Sequence, residues 1–227
     1  KEAKWLADDD AAADLLVQSA SMQARQGEWQ GAIDDAEAAL RRSPDHGDAA
    51  QQLEALLTRT GMDERLIEQL TQAAHAARKT PRRVALWRQV GQLYADKKDD
   101  LGAAISAVGR ALEAAPKEIT TLRQLAGLHL LDQQFEEGAE LLTRAVELEP
   151  NNVEAHTQLA RIYTEHRPDA AKAQRSLDVV LAARPDDPGV LAMQLKAHLL
   201  AGDRERTRKI GEGLLAAAGD DVAMKAW

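Results

Sequence analysis

VALWRQVGQLYADKKDDLGAAISAVGRALEAAPK, residues 84–117, is the stretch that decides the architecture. In its first half Trp87, Val90, Gly91 and Tyr94 recur at spacings that put them on one side of a helix. In its second half Ala104, Val108, Ala111 and Leu112 do the same. Pro116 closes the second helix, because proline lacks an N–H and its ring clashes with the preceding turn. The unit is therefore two short amphipathic helices and a proline.

Moving outward, residues 119–152 match with Leu122, Leu125 and Ala126, then Gly138, Leu142, Ala145, Val146 and Pro150. Residues 153–186 give His156, Leu159, Ala160 and Tyr163, then Ala173, Leu177, Val180, Leu181 and Pro185. Residues 13–46 give Leu16 and Ala20, the turn at Gly27, Glu28 and Trp29, then Ala32, Ala36, Ala39, Leu40 and Pro44. Pro44, Pro81, Pro116, Pro150 and Pro185 lie 37, 35, 34 and 35 residues apart, the beat of an array of helix pairs. One pair cannot bury its own apolar face, so neighbours must stack. Ala104, Ala111, Ala126, Ala145 and Ala160 are expected at the helix contacts.

A bulky residue at position 4, apolar and small residues at 7 and 8, an aromatic at 11, a small residue at 20, Ala at 27 and Pro at 32 form a pattern that resembles the tetratricopeptide repeat. The resemblance implies an all-α, right-handed superhelical solenoid of antiparallel helix pairs. It also implies a single array over 1–227, with repeats at 13–46, 47–83, 84–118, 119–152, 153–186 and 187–220. Two repeats are degenerate. Residues 47–83 have Gly61 at the turn but no aromatic and an ambiguous second helix, and 187–220 have Gly202 but no closing proline. Lys1 to Asp10 reads as the tail of an earlier pair, and the ending DDVAMKAW as the start of another, so an excerpt of a longer protein is expected.

Composition supports this and excludes several classes. Apolar residues make up 44% but aromatics only 3%, so Ala and Leu, the strongest helix formers, dominate. The net charge is −8, which repels phosphate backbones and argues against nucleic acid, including an RNA-binding helical repeat. No apolar run approaches the roughly 20 residues of a membrane span. There is no cysteine, hence no disulfide or thiolate-bound metal. The cytoplasm is the default compartment, and the periplasm if a signal sequence lies upstream. Abundant Ala and Arg suit a bacterial source.

The sequence holds neither a phosphate-cradling glycine loop, nor a Gly-x-Ser-x-Gly elbow, nor a zinc-binding His-Glu-x-x-His helix. His129, His156 and His198 lie in different repeats without ligand spacing, so packed imidazoles are expected rather than a metal site. His166, beside Pro168, reads as a solvated loop residue. Asp34-Asp35, Asp99-Asp100, Glu136-Glu137 and Asp186-Asp187 read as charges at the positive ends of helices. Trp29 and Trp87 read as packing residues. Neither an enzyme nor a cofactor is expected.

In the family that this chain resembles, positions 2, 5, 9, 12 and 13 of each first helix face a concave groove that holds a peptide or partner helix. Carried over, these give Arg88 and Arg123 at position 5 and Arg161 at position 9 of successive repeats. Gln92, Glu165, Arg59 and Lys196 join them, with Arg25 and Gln51. Three arginines would form a cationic stripe suited to an acidic segment, since guanidinium forks bind carboxylates at two points. The plainer alternative pairs them with acids on neighbouring helices. Asn occurs only at Asn151 and Asn152, so the Lys and Asn clamp with which some family members hold a C-terminal carboxylate is absent. The expected function is a scaffold or adaptor for protein–protein interaction. The competing expectation is an oligomerisation module that self-associates through array ends, motivated by Trp5, Val222, Met224 and Trp227.

Overall fold

The computed structural model describes residues 2–44 and 46–218, which hold twelve α-helices and no strand. They fall into two compact units, residues 1–76 and 77–227. The first contains α1 (Glu2–Gln26), α2 (Trp29–Arg42), α3 (Gly47–Thr60) and α4 (Asp63–Ala76). The second contains α5 (Thr80–Lys98), α6 (Leu101–Ala114), α7 (Ile119–Leu131), α8 (Phe135–Leu148) and α9 (Val153–Arg161). A π-helical turn (Ile162–His166) extends α9, followed by α10 (Ala170–Ala183), α11 (Pro188–Leu200) and α12 (Arg204–Ala218). Turns of two or three residues reverse the chain inside each pair, so each unit is an all-α stack of antiparallel pairs. The ambiguous second helix of 47–83 is α4, which buries Leu66, Ile67, Leu70 and Ala74 on one stripe.

Ala104, Ala111, Ala126, Ala145 and Ala160 are all fully buried. Ala104, Ala126 and Ala145 pack in one cluster with Val108, Leu122, Leu142 and Leu159, and Ala160 packs in a second with Leu177, all but excluded from solvent. Small side chains at these crossings let the backbones approach. Gly91 is the closest case: a Cβ there would lie 2.4 Å from Val108 Cγ2 and 3.1 Å from the Ala104 carbonyl oxygen.

Pro44, Pro116, Pro150 and Pro185 each follow the last residue of a second helix by two positions. Pro81 does not. It lies in the first turn of α5, where its missing N–H has no intrahelical partner to lose. Glu2 to Asp10 are likewise not the tail of a separate helix, because α1 runs without a break from Glu2. The Trp5 side chain and Val222, Met224 and Trp227 lie outside the described residues.

Five of the six pair turns pass through the left-handed region, at Gly27, Gly61, Asp99, Gln133 and Gly202. The sixth, between α9 and α10, uses the π turn instead. The Arg167 N–H donates to the Ile162 carbonyl at 2.8 Å, five residues back, and the Asp169 N–H to that of Tyr163 at 2.9 Å. This turn holds one more residue than its neighbour. His156, Leu159 and Ala160 follow Leu122, Leu125 and Ala126 by 34 positions, whereas Ala173, Leu177 and Pro185 follow Gly138, Leu142 and Pro150 by 35. The extra residue therefore lies between Ala160 and Ala173, where the π turn widens the helix.

Candidate partner-binding site

Second-unit candidates occupy the first helices of successive pairs, and the structure links those helices edge to edge. On α5, Arg88 is half-buried and its Nε donates to Gln124 Oε1 on α7 at 2.7 Å. Gln124 donates back to the Arg88 carbonyl at 3.1 Å, and its amide lies 3.5 Å from Gln92 Oε1. Gln92 is exposed and donates to Asp96 at 2.8 Å. Arg123, next to Gln124, forms an ion pair with Glu154 on α9. Arg161 stands exposed at the end of α9. Glu165, in the π turn, accepts from Lys196 Nζ on α11 at 2.8 Å. Two of the three candidate arginines thus already have partners on the next helix, and the band across α5, α7, α9 and α11 carries charges of both signs.

Two carboxyls in or beside this band have lowered pKa values. Burial pushes Glu118 up, but the Thr121 and Thr120 hydroxyls, the Thr121 N–H and the Arg88 charge more than offset it. Glu118 also caps α7, accepting from the Thr121 N–H at 2.6 Å. The hydrogen bond from Lys196 lowers Glu165 most, against some burial, and the charges of Lys196, Arg161 and His166 lower it further.

In the first unit Arg59 does not lie alone on a helix face. Its guanidinium carbon lies over the Trp29 ring, 4.6 Å from the centroid. Both line an open depression of about 700 Å³ together with Arg25, Gln52 and Leu56. Trp29 is half-buried, whereas Trp87 is a core residue. Gln51 is exposed and does not line the depression, and its neighbour Gln52 does.

Sequence reasoning missed Gln124, Glu118 and Glu154. Nothing in one helix reveals which side chain on the next will reach it. The acidic pairs divide. Asp100 caps α6 by accepting from the Ala103 N–H at 2.9 Å, and Asp187 caps α11 by accepting from Gly189 and Val190. Asp35 is not a cap: it sits inside α2 and accepts from Ser19 and Gln23 of α1, each at 2.6 Å.

The histidines each have a local contact. His129 Nδ1 lies 2.5 Å from Gln134 Oε1, and His156 Nε2 lies 2.9 Å from the Pro150 carbonyl. His198 is buried, with Nδ1 3.9 Å from the Asp203 carboxylate. His166 is exposed but not simply solvated, because its ring stacks on Phe135 at 3.9 Å between centroids. Among the described residues no group of three or more His, Asp or Glu is placed to hold a metal ion. No helix among them is long and apolar enough to cross a membrane.

Comparison with known proteins agrees with the fold. No curated protein matches the sequence. Among solved structures, a tetratricopeptide repeat protein from Parabacteroides merdae superposes with a TM-score of 0.57 at 15% identity, over 91% of this chain and 80% of that one. PilF of Pseudomonas aeruginosa gives 0.56 at 17% identity, over 96% of this chain and 97% of that one. YrrB, described as a tetratricopeptide repeat protein with an unusual peptide-binding site, gives 0.54 at 16% identity, over 78% and 89%. Residues 129–197 match the family model for the tetratricopeptide repeat. The chain thus carries tetratricopeptide repeat sequence over residues 129–197 and has the fold of tetratricopeptide repeat proteins along the helices on either side.

Proposed function

We propose that this chain is a non-catalytic scaffold that holds an extended or helical segment of a partner protein along the first helices of its second unit. The fold is that of protein–protein interaction modules. The observation that carries the finer reading is the polar band on α5, α7, α9 and α11. Arg88, Gln92, Arg123, Arg161, Glu165 and Lys196 lie outside the buried core, although core packing would favour apolar residues. Such a band offers hydrogen bonds and charges at the spacing of successive repeats. YrrB, similar in fold, is itself described as having a peptide-binding site.

Arg161 is exposed, whereas the partner segment must displace Glu154 to engage Arg123. An acidic side chain on the partner can do so, because both surfaces are hydrated and the existing exposed pair is worth only about 0–1 kcal/mol. The test is the affinity of a partner purified on the wild-type chain, measured again with an Arg88, Arg123, Arg161 triple alanine variant. A weaker complex that weakens further with salt supports the reading. Equal affinity, with both proteins folded, places the partner elsewhere.

Self-association through the last pair is the second reading, favoured by Leu199, Leu200 and Leu215, which are exposed on α11 and α12. A molecular mass that rises with concentration and returns to the monomer value in a Leu199, Leu215 double serine variant supports it.

A further inference from the structure

We infer that the depression around Trp29 and Arg59 in the first unit is a second recognition site, and that it takes an internal acidic segment of a protein partner. This rests on the reading of the chain as a protein-binding scaffold but not on the α5–α11 band.

The chemistry of the lining points to the ligand. The ionisable side chains that line the depression are two arginines, Arg25 and Arg59, and no carboxylate is among its lining residues. That inverts the balance of a chain whose net charge is −8. It also contrasts with the α5–α11 band, where Arg123 is neutralised by Glu154.

The position of Arg59 gives the site its geometry. The central carbon of its guanidinium lies over the Trp29 ring, 4.6 Å from the centroid. That contact holds the cation at the wall of the depression, and a guanidinium is a group that a carboxylate engages at two points. The floor is apolar where Leu56 is buried, and its polar part is already organised, since the Gln52 amide contacts the Ser21 hydroxyl at 2.9 Å across α1 and α3. An acidic side chain therefore meets a guanidinium held beside an aromatic ring, and an adjacent apolar side chain meets Trp29 and Leu56.

An internal segment fits better than a chain terminus. Trp29 and Arg59 also line a second open depression of about 680 Å³, with Gln30, Thr60 and Met62. A bound segment can run past this pair into it rather than stop there.

The experiment monitors the tryptophan indole N–H signals of the isotope-labelled chain, with the Trp29 signal assigned from a Trp29→Phe variant. The probes are mixtures of short peptides blocked at both ends, one of Asp, Glu and Leu and one of Asn, Gln and Leu. The acidic mixture should move the Trp29 signal, and the amide mixture should need at least about tenfold more peptide for the same shift. Arg59→Met, which keeps the aliphatic stem, should abolish the response while circular dichroism stays unchanged. A Trp29 signal unmoved by the acidic mixture, or moved equally by both mixtures, overturns the inference. An unblocked Leu-rich peptide acting as strongly as the acidic mixture would assign the site to a chain terminus and overturn the choice of an internal segment. A shift of the Trp87 signal on α5 with Trp29 unmoved would sink this inference alone. A Trp29 response beside undiminished partner capture by the triple alanine variant would sink only the reading of the α5–α11 band.

Discussion

At Gly91 the absence of a side chain is a packing requirement rather than a conformational one. A Cβ would meet Val108 and the Ala104 carbonyl, and the backbone carbonyl cannot move aside cheaply. Gly91→Ala should therefore destabilise the fold by about 1–3 kcal/mol, read by denaturant unfolding. Gly138 faces the flexible end of Leu130, at 2.7 Å from its Cδ2, so Gly138→Ala should cost less. A reversed order would show that α5 and α6 can separate at no penalty. Gln133 presents the opposite case. It is not glycine yet has φ 59°, a conformation that strains most side chains. Gln133→Gly should raise stability by up to about 1 kcal/mol, and a loss would mean that its side chain matters more than its backbone. Gly91 was legible from the sequence as a small residue on the packed face. The strain at Gln133 was not, because no glycine or asparagine marked that turn.

At the level of the helix, Glu118 joins capping to charge. Its pKa is lower folded than unfolded, so its contribution is present above the ordinary carboxylate range of about 4.3 and is lost as pH falls through the lowered folded value. Unfolding free energy measured from neutral pH down to about pH 3 should fall less steeply in Glu118→Gln than in the wild type. Parallel curves would show that the carboxylate is no better stabilised folded than unfolded. The π turn after α9 gives a second prediction. Deleting Thr164 should close the helix to its ordinary pitch and leave α10 in register, so the variant should keep the full helical signal by circular dichroism; a loss of helical signal would show that the widened turn is needed for the packing of α9 on α10. The helices themselves were readable from spacing and prolines. The partners on facing helices, Gln124 and Glu154 among them, were not, because a side chain's reach across a helix contact depends on rotamers and on the depth of packing.

Within each unit, stability should behave as a sum over neighbours, because each pair packs chiefly on the next. In the second unit Leu177 and Val180 of α10 pack with Val190 and Met193 of α11. A chain ending at residue 184 uncovers them. It should melt at a lower temperature yet keep the helical signal of the remaining pairs by circular dichroism. Loss of the whole signal would mean that the last pair nucleates the rest. The repeating architecture was visible in the sequence because small and apolar residues recur at fixed intervals. The start of α5 was not, because the proline that appeared to close the second pair, Pro81, belongs to the first turn of α5.

The one-residue excess between Ala160 and Ala173 behaves like a dislocation in a crystal. On the near side Leu159 and Ala160 keep the lattice of the preceding repeat, and on the far side Ala173 to Pro185 keep it too, displaced by one position. The misfit is confined to a single widened turn, with Ile162 and Thr164 still buried. Such a lattice accepts an inserted residue inside a helix without propagating the fault, so length changes in this chain need not be confined to its loops.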